Sequence, residues 1–179
     1  MRRLWLGLLL CACSGSSDNE VDGTVLGFSL NARDALYLVH NGRQVFVVSD
    51  QDNTCRKLAS QSLGGQVRLL ELYLWNPTST DPATLVEGTY DVANDSASLD
   101  AHAFFGVGSG CGNGVRWFGA SSGRVILIQA GIPEPGDRSQ VAFLLEFGNE
   151  QLAGHADAAY CELPQTGTIP CIFEDTSGP

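Results

Sequence analysis

From Gly23 to Tyr160 apolar residues recur at every second position, and this alternation constrains the fold more than any other feature of the chain. In Arg68–Trp75, Leu70, Leu72 and Leu74 share one side of an extended chain, while Leu69, Glu71, Tyr73 and Trp75 share the other. Val141, Phe143, Leu145 and Phe147 make a second such row. A period of two is the mark of a strand with a buried face. It predicts strands over Gly23–Leu30, Ala35–His40, Arg43–Ser49, Arg68–Trp75, Thr89–Val92, Ala101–Val107, Arg124–Gln129, Gln140–Phe147 and Gln151–Tyr160. About nine or ten short strands with turn signals between them, and one short helix, describe an all-β fold, an antiparallel β-sandwich or barrel. No strand–helix alternation points to a parallel sheet.

Two joints are more specific. Asn41-Gly42 lies between two apolar runs and supplies the two positive-φ-tolerant residues that a type I′ hairpin turn demands. Thr54–Ser62 carries Cys55, Leu58, Ala59 and Ser62 at helical spacing, behind Asp50, Asp52 and Asn53 as capping side chains. Those three could also ligate calcium, but an EF-hand loop would want glycine at Cys55 and glutamate at Gln61. Capping accounts for them.

Upstream of the strands, Arg2-Arg3 and the apolar Leu4–Leu10 are too short and wrongly flanked for a spanning helix. The following Leu10-Cys11-Ala12-Cys13 resembles the lipobox of bacterial lipoprotein precursors, with small Ala12 before the cysteine and Leu10 three places upstream of it. The alternative, Cys11, would place bulky Leu10 beside the cleaved bond. The resemblance implies a signal peptide over 1–12, lipidation at Cys13, and an exported protein lipid-anchored in the cell envelope. Ser14 after that cysteine is similar to the outer-membrane sorting preference. Residues 13–22 are polar and read as a flexible tether, and 23–179 as a single β-domain ending in an irregular, disulfide-clasped tail.

Removing twelve of 179 residues leaves 167, enough for one domain with a sizeable core. It also removes two of ten basic residues, leaving eight against twenty acidic ones, a formal charge of −12. Such a surface repels phosphate backbones and anionic headgroups. No nucleic-acid partner is expected, and the bilayer is met through the Cys13 lipid; any protein or glycan partner is unspecified.

With Cys13 given to lipid, Cys55, Cys111, Cys161 and Cys171 remain. An even number in an exported domain predicts two disulfides, and Cys55–Cys111 with Cys161–Cys171 is the favoured pairing. A zinc site is the alternative, against which the lack of any CxxC pair argues.

Candidate chemistry is sparse. Gly119-Ala120-Ser121-Ser122-Gly123 matches G-x-S-x-G, and Asp137 and His155 follow in hydrolase order. A nucleophile elbow needs a helix after its serine, however, and here a β run follows. The five glycines of 106–114 around Cys111 have neither phosphate-binding spacing, so a flexible loop is expected and no cofactor. His40, His102 and His155 show no metal-ligand spacing. Tyr73, Trp75, Trp117 and Phe118 could stack on sugars, but aromatics also fill sheet cores. No catalytic residue is assigned.

The layout as a whole resembles a group of small bacterial lipoproteins. The early hairpin, the Ser49-Asp50 strand end running into a Cys55 helix, and the closing Gly154-x-x-x-Ala158-x-Tyr160-Cys161 carry that likeness. The group brings no known activity, so the resemblance implies fold and location only. Function is then read as a non-enzymatic surface or periplasmic binding module; a hydrolase using Ser121 with Asp137 and His155 is the alternative.

Overall fold

The computed structural model describes residues 19–77, 79, 84–92, 99–110, 114–164, 168–169 and 171–173. Ten strands and one helix run in the order β1 (Asn19–Gly23), β2 (Asp34–His40), β3 (Arg43–Ser49), α1 (Thr54–Ala59), β4 (Gly64–Trp75), β5 (Gly88–Val92), β6 (Asp100–Gly110), β7 (Val115–Gly119), β8 (Ser122–Gln129), β9 (Arg138–Phe147) and β10 (Glu150–Tyr160). The sheet order β10-β2-β3-β4-β6-β5-β8-β9 closes through β9–β10 into an eight-stranded barrel. The all-β expectation holds, and of its two forms the chain takes the barrel.

Closure relies on two thin seams. β10 meets β2, and β5 meets β6, in parallel over only two residue pairs each, whereas every other pairing is antiparallel. The strands splay beyond each seam, and an extra strand fills the gap. β1 pairs with β10 along Leu152–Ala156, and β7 with β6 along Phe104–Gly108. The polar stretch expected to be tether therefore contributes its last residues, Asn19 to Asp22, to β1. Backbone ladder bonds need no apolar side chains, which is why alternation did not mark this strand.

Alternation put a strand at Gly23–Leu30 instead. There Leu26 and Gly27 take positive φ (51° and 76°), and Val25 and Phe28 exchange backbone hydrogen bonds of 2.9 and 3.0 Å across a tight turn. Val25 and Leu30 are buried as expected, but from a turn. The hairpin at Asn41-Gly42 forms as read, with φ of 47° and 77°.

The two faces of β4 enter two different cores. Leu70, Leu72 and Leu74 point into the barrel with Tyr37, Phe46, Tyr90, Phe105, Val125, Leu127, Phe143 and Leu145, all at most 4% exposed. An eight-stranded barrel has room for little more than such side chains. Leu69, Glu71, Tyr73 and Trp75 point outward with Leu36, Leu38, Val45 and Val47. This outer face is also buried, because α1 and the tail residues Cys161, Leu163, Ile169, Cys171, Ile172 and Phe173 lie over it.

α1 is shorter than expected and is not capped by Asp50, Asp52 or Asn53. Asn53 is left-handed and makes no side-chain cap, while the Thr54 N–H donates to the Asp34 carboxylate at 2.7 Å. The helix stops where Gln61 turns left-handed, with Ser62 N–H to Lys57 O and Gln61 N–H to Leu58 O closing a Schellman-type end.

A disulfide joins Cys55 in α1 to Cys161 at the end of β10. This overturns both expected pairs, Cys55–Cys111 and Cys161–Cys171. The helix lies outside β2, and β2 neighbours the C-terminal end of β10, so topology brings Cys55 and Cys161 together. Cys171 is disulfide-bonded as well. Cys13 and Cys111 lie outside the described residues.

The glycine-rich segment is in part strand. β6 continues to Gly110, because Gly106 and Gly108 present bare backbone to β7. A Cβ on Gly106 would stand 2.5 Å from the Trp117 ring, and one on Gly108 2.3 Å from the Gly114 carbonyl oxygen.

Candidate functional site

Strand direction places the sequence-flagged residues at different ends of the barrel. Ser121 and Ser122 open β8 beside Glu146 near the end of β9, and Asp137 precedes the start of that strand. Nine residues of strand separate Asp137 from Glu146, about 30 Å at 3.4 Å per residue. His155 pairs with Ala142, about 14 Å along β9 from Glu146. Ser121, Asp137 and His155 therefore do not meet. Asp137 instead closes its own loop: its carboxylate accepts the Ile132 and Arg138 N–H groups.

What surrounds Ser121 is an open cleft of about 570 Å³, lined by Asp91, Val92, Ser121, Ser122, Gly123, Arg124, Leu144 and Glu146. Ser122 donates to the Glu146 carboxylate at 2.5 Å, and Ser121 donates to the Glu146 carbonyl at 3.1 Å. Asp91 and Arg124 pair across β5 and β8 at 3.7 Å, Arg124 largely exposed and Asp91 partly so. Hydroxyls, two carboxylates and a guanidinium thus share one wettable wall. Such a wall can hydrogen-bond a polar ligand or a partner's surface. Its sequence signal was the G-x-S-x-G turn, but Asp91, Arg124 and Glu146 arrive by register and carry no motif.

The remaining candidates are structural. Asp50 accepts the Arg68 N–H at 3.0 Å, Asp52 lies 3.6 Å from Arg33, and among the described residues no group of three potential ligands gathers around a metal position. His40 is buried against Asn41 and Pro164, His102 stands edge-on to Trp75, and His155 is exposed on β10. Tyr73, Trp75 and Trp117 belong to the outer core, and Phe118 packs against the barrel core.

Sequence reading passed over one chemical oddity. Glu71 is fully buried in the outer core. Its Oε2 accepts the Phe173 N–H and the Tyr73 hydroxyl, each at 2.9 Å, while Oε1 has no partner among the described residues. Burial is the largest cause pushing its pKa up, to about 8, against the lowering effect of those two hydrogen bonds. At neutral pH the carboxyl is mostly protonated. When protonated it is the donor in its contact with the Tyr73 oxygen, and the single tyrosine hydrogen serves the Phe173 carbonyl, which Tyr73 also meets. The apolar alternation of β4 had flagged the position only as a polar letter in a buried row.

Compared with protein-family models, curated proteins and solved structures, the chain matches none. The fold and cleft by themselves define a filled eight-stranded barrel with one open polar wall.

Proposed function

We propose that this chain is a lipid-anchored bacterial envelope lipoprotein whose barrel serves as a non-enzymatic binding module. Leu10-Cys11-Ala12-Cys13 carries the reading, with Cys13 as the lipidated residue and the outer membrane as its place. The barrel centre is filled by side chains, so a ligand would be met on the outside, at the cleft of Ser121, Ser122, Asp91, Arg124 and Glu146. The separation of Ser121 from Asp137 and His155 weighs against the hydrolase alternative. Mass spectrometry of the protein from its native host tests the anchor. The mature N-terminal peptide should begin at an acylated Cys13, and Cys13→Ser should move the protein out of the membrane fraction. An unmodified Cys13 would overturn the reading.

A further inference from the structure

The start of β1 and the cleft lie at different levels of the barrel. β1 begins at Asn19, which pairs with Ala156 and accepts the Asp157 N–H at 3.0 Å; its far end, Gly23, pairs with Leu152. Ala156 pairs with Val141, five residues along β9 from Glu146 in the cleft, about 17 Å. β1 therefore starts on the side of the barrel nearer the loop from Ala130 to Asp137 and runs toward the cleft end. Only five residues, 14 to 18, separate Asn19 from Cys13, so the two lie at most about 22 Å apart.

The end of the barrel with that loop carries a group of large apolar side chains open to solvent. Ile132 is 64% exposed at the tip of the β8–β9 loop, Ile128 is 52% exposed on the preceding strand end, and Val86 is 50% exposed in the adjoining segment before β5. Glu87 accepts the Ala130 N–H at 3.3 Å and ties the two segments together. The Ile132 loop is well braced. Its carbonyl accepts the Tyr37 hydroxyl at 2.6 Å and the Glu134 N–H at 2.7 Å, its N–H donates to Asp137, and Pro133 and Pro135 stiffen it. A braced loop presents its apolar tip without an ordering cost on contact.

We infer, resting on the reading of Cys13 as the lipid attachment, that this rim seats on the bilayer. Val86, Ile128 and Ile132 meet the headgroup boundary and the Ser121 cleft faces away from the membrane. The short tether holds the rim near the surface, and the exposed apolar side chains gain by leaving water. Glu87, Glu134 and Asp137 stand on the rim, and Arg138 is already paired with Asp157 at 2.9 Å, so the surface it fits is an electrically neutral phospholipid, not an anionic one.

The test uses full-length, processed protein in phosphatidylcholine vesicles with and without brominated acyl chains, with Cys13 lipidation verified by intact mass. Ile132→Trp and Val86→Trp report on the rim, and Leu144→Trp reports on the cleft side, each corrected for the native tryptophans. Lipidated protein should show at least about two-fold stronger bromolipid quenching at 132 and 86 than at 144, reduced when phosphatidylglycerol is added. Equal quenching at all three positions, or none, overturns the seating and leaves the anchor standing. A bare Cys13 overturns both.

Discussion

The barrel interior and the layer outside β2, β3 and β4 are buried equally well but are held by different means. The interior draws Phe46, Leu72, Phe105, Leu127 and Leu145 from around a closed ladder, and its polar side chains, Tyr37, Gln44, Tyr90 and Ser139, are few; Tyr37, Tyr90 and Ser139 reach backbone carbonyls, as Tyr90 does at Val86. The outer layer is aromatic and holds a carboxyl. Phe173 lies 4.1 Å from Phe104 and 5.8 Å from Trp117 by ring centroids, over Glu71 and Tyr73. Its lid is α1 and a tail with little regular structure, pinned by disulfides. A closed ladder protects its contents by geometry, whereas an applied lid stays only as long as its fastenings do.

Breaking the interior should do the most damage. Phe105→Ala removes a fully buried ring that packs edge-on against Phe147. A loss of about 3–5 kcal/mol in urea unfolding is expected, since the closed ladder cannot collapse around the hole. A loss under about 1 kcal/mol would mean that the barrel is looser than its packing indicates.

Cutting the fastening comes next. Cys55–Cys161 closes a loop spanning 106 residues, and replacing both by alanine should cost about 2–4 kcal/mol. The signature should be local as well as global: amide exchange should quicken in α1 and in 161–173 before it quickens in β3 or β9. Uniform acceleration would show that the two layers unfold as one.

The carboxyl gives the outer layer a pH dependence in the neutral range, whereas the interior tyrosines, their pKa values raised by burial, respond only at alkaline pH. Burial raises the folded pKa of Glu71 to about 8 from its ordinary 4.5, so between those values the folded protein binds more protons than the unfolded one. Its contribution is complete below about pH 4.5, falls as pH rises, and is lost above about pH 8. Glu71→Gln keeps an acceptor for the Phe173 N–H but does not ionise. Between pH 5 and pH 8 the stability difference should move toward the glutamine variant by on the order of 2 kcal/mol, read from melts across that range. Parallel pH profiles would show that water reaches Glu71 Oε1.

These contrasts also explain what could be read from sequence. Alternation located the long strands because their inward rows are apolar, and Asn41-Gly42 fixed its hairpin because few other pairs tolerate positive φ twice. It located neither β1 nor β7. Both are short strands filling gaps beside thin seams, and their positions are set by the neighbours' hydrogen-bonding edges. The disulfide was misread for a related reason. Local spacing favoured Cys161–Cys171, whereas the true partner depends on β2 lying beside β10, a contact that no local pattern encodes. Of the cleft, only the serine turn was visible, since Asp91, Arg124 and Glu146 converge through three strands.

The smallest effect is expected where a strand face has neither ladder nor lid over it. On the outside of β8 and β9, Ile126 and Leu144 are 44% and 50% exposed, although they occupy outward positions like those of Val45 and Val47 on β3. Leu144→Ser should therefore change stability by no more than about 0.5 kcal/mol, while Val47→Ser under the tail should cost several times that. The two substitutions are chemically alike and both lie on the barrel's outer surface, so their difference measures what the lid contributes. If Leu144→Ser proved as costly as Val47→Ser, residues 126 and 144 would have to be covered in solution, and a second buried layer would exist on that side.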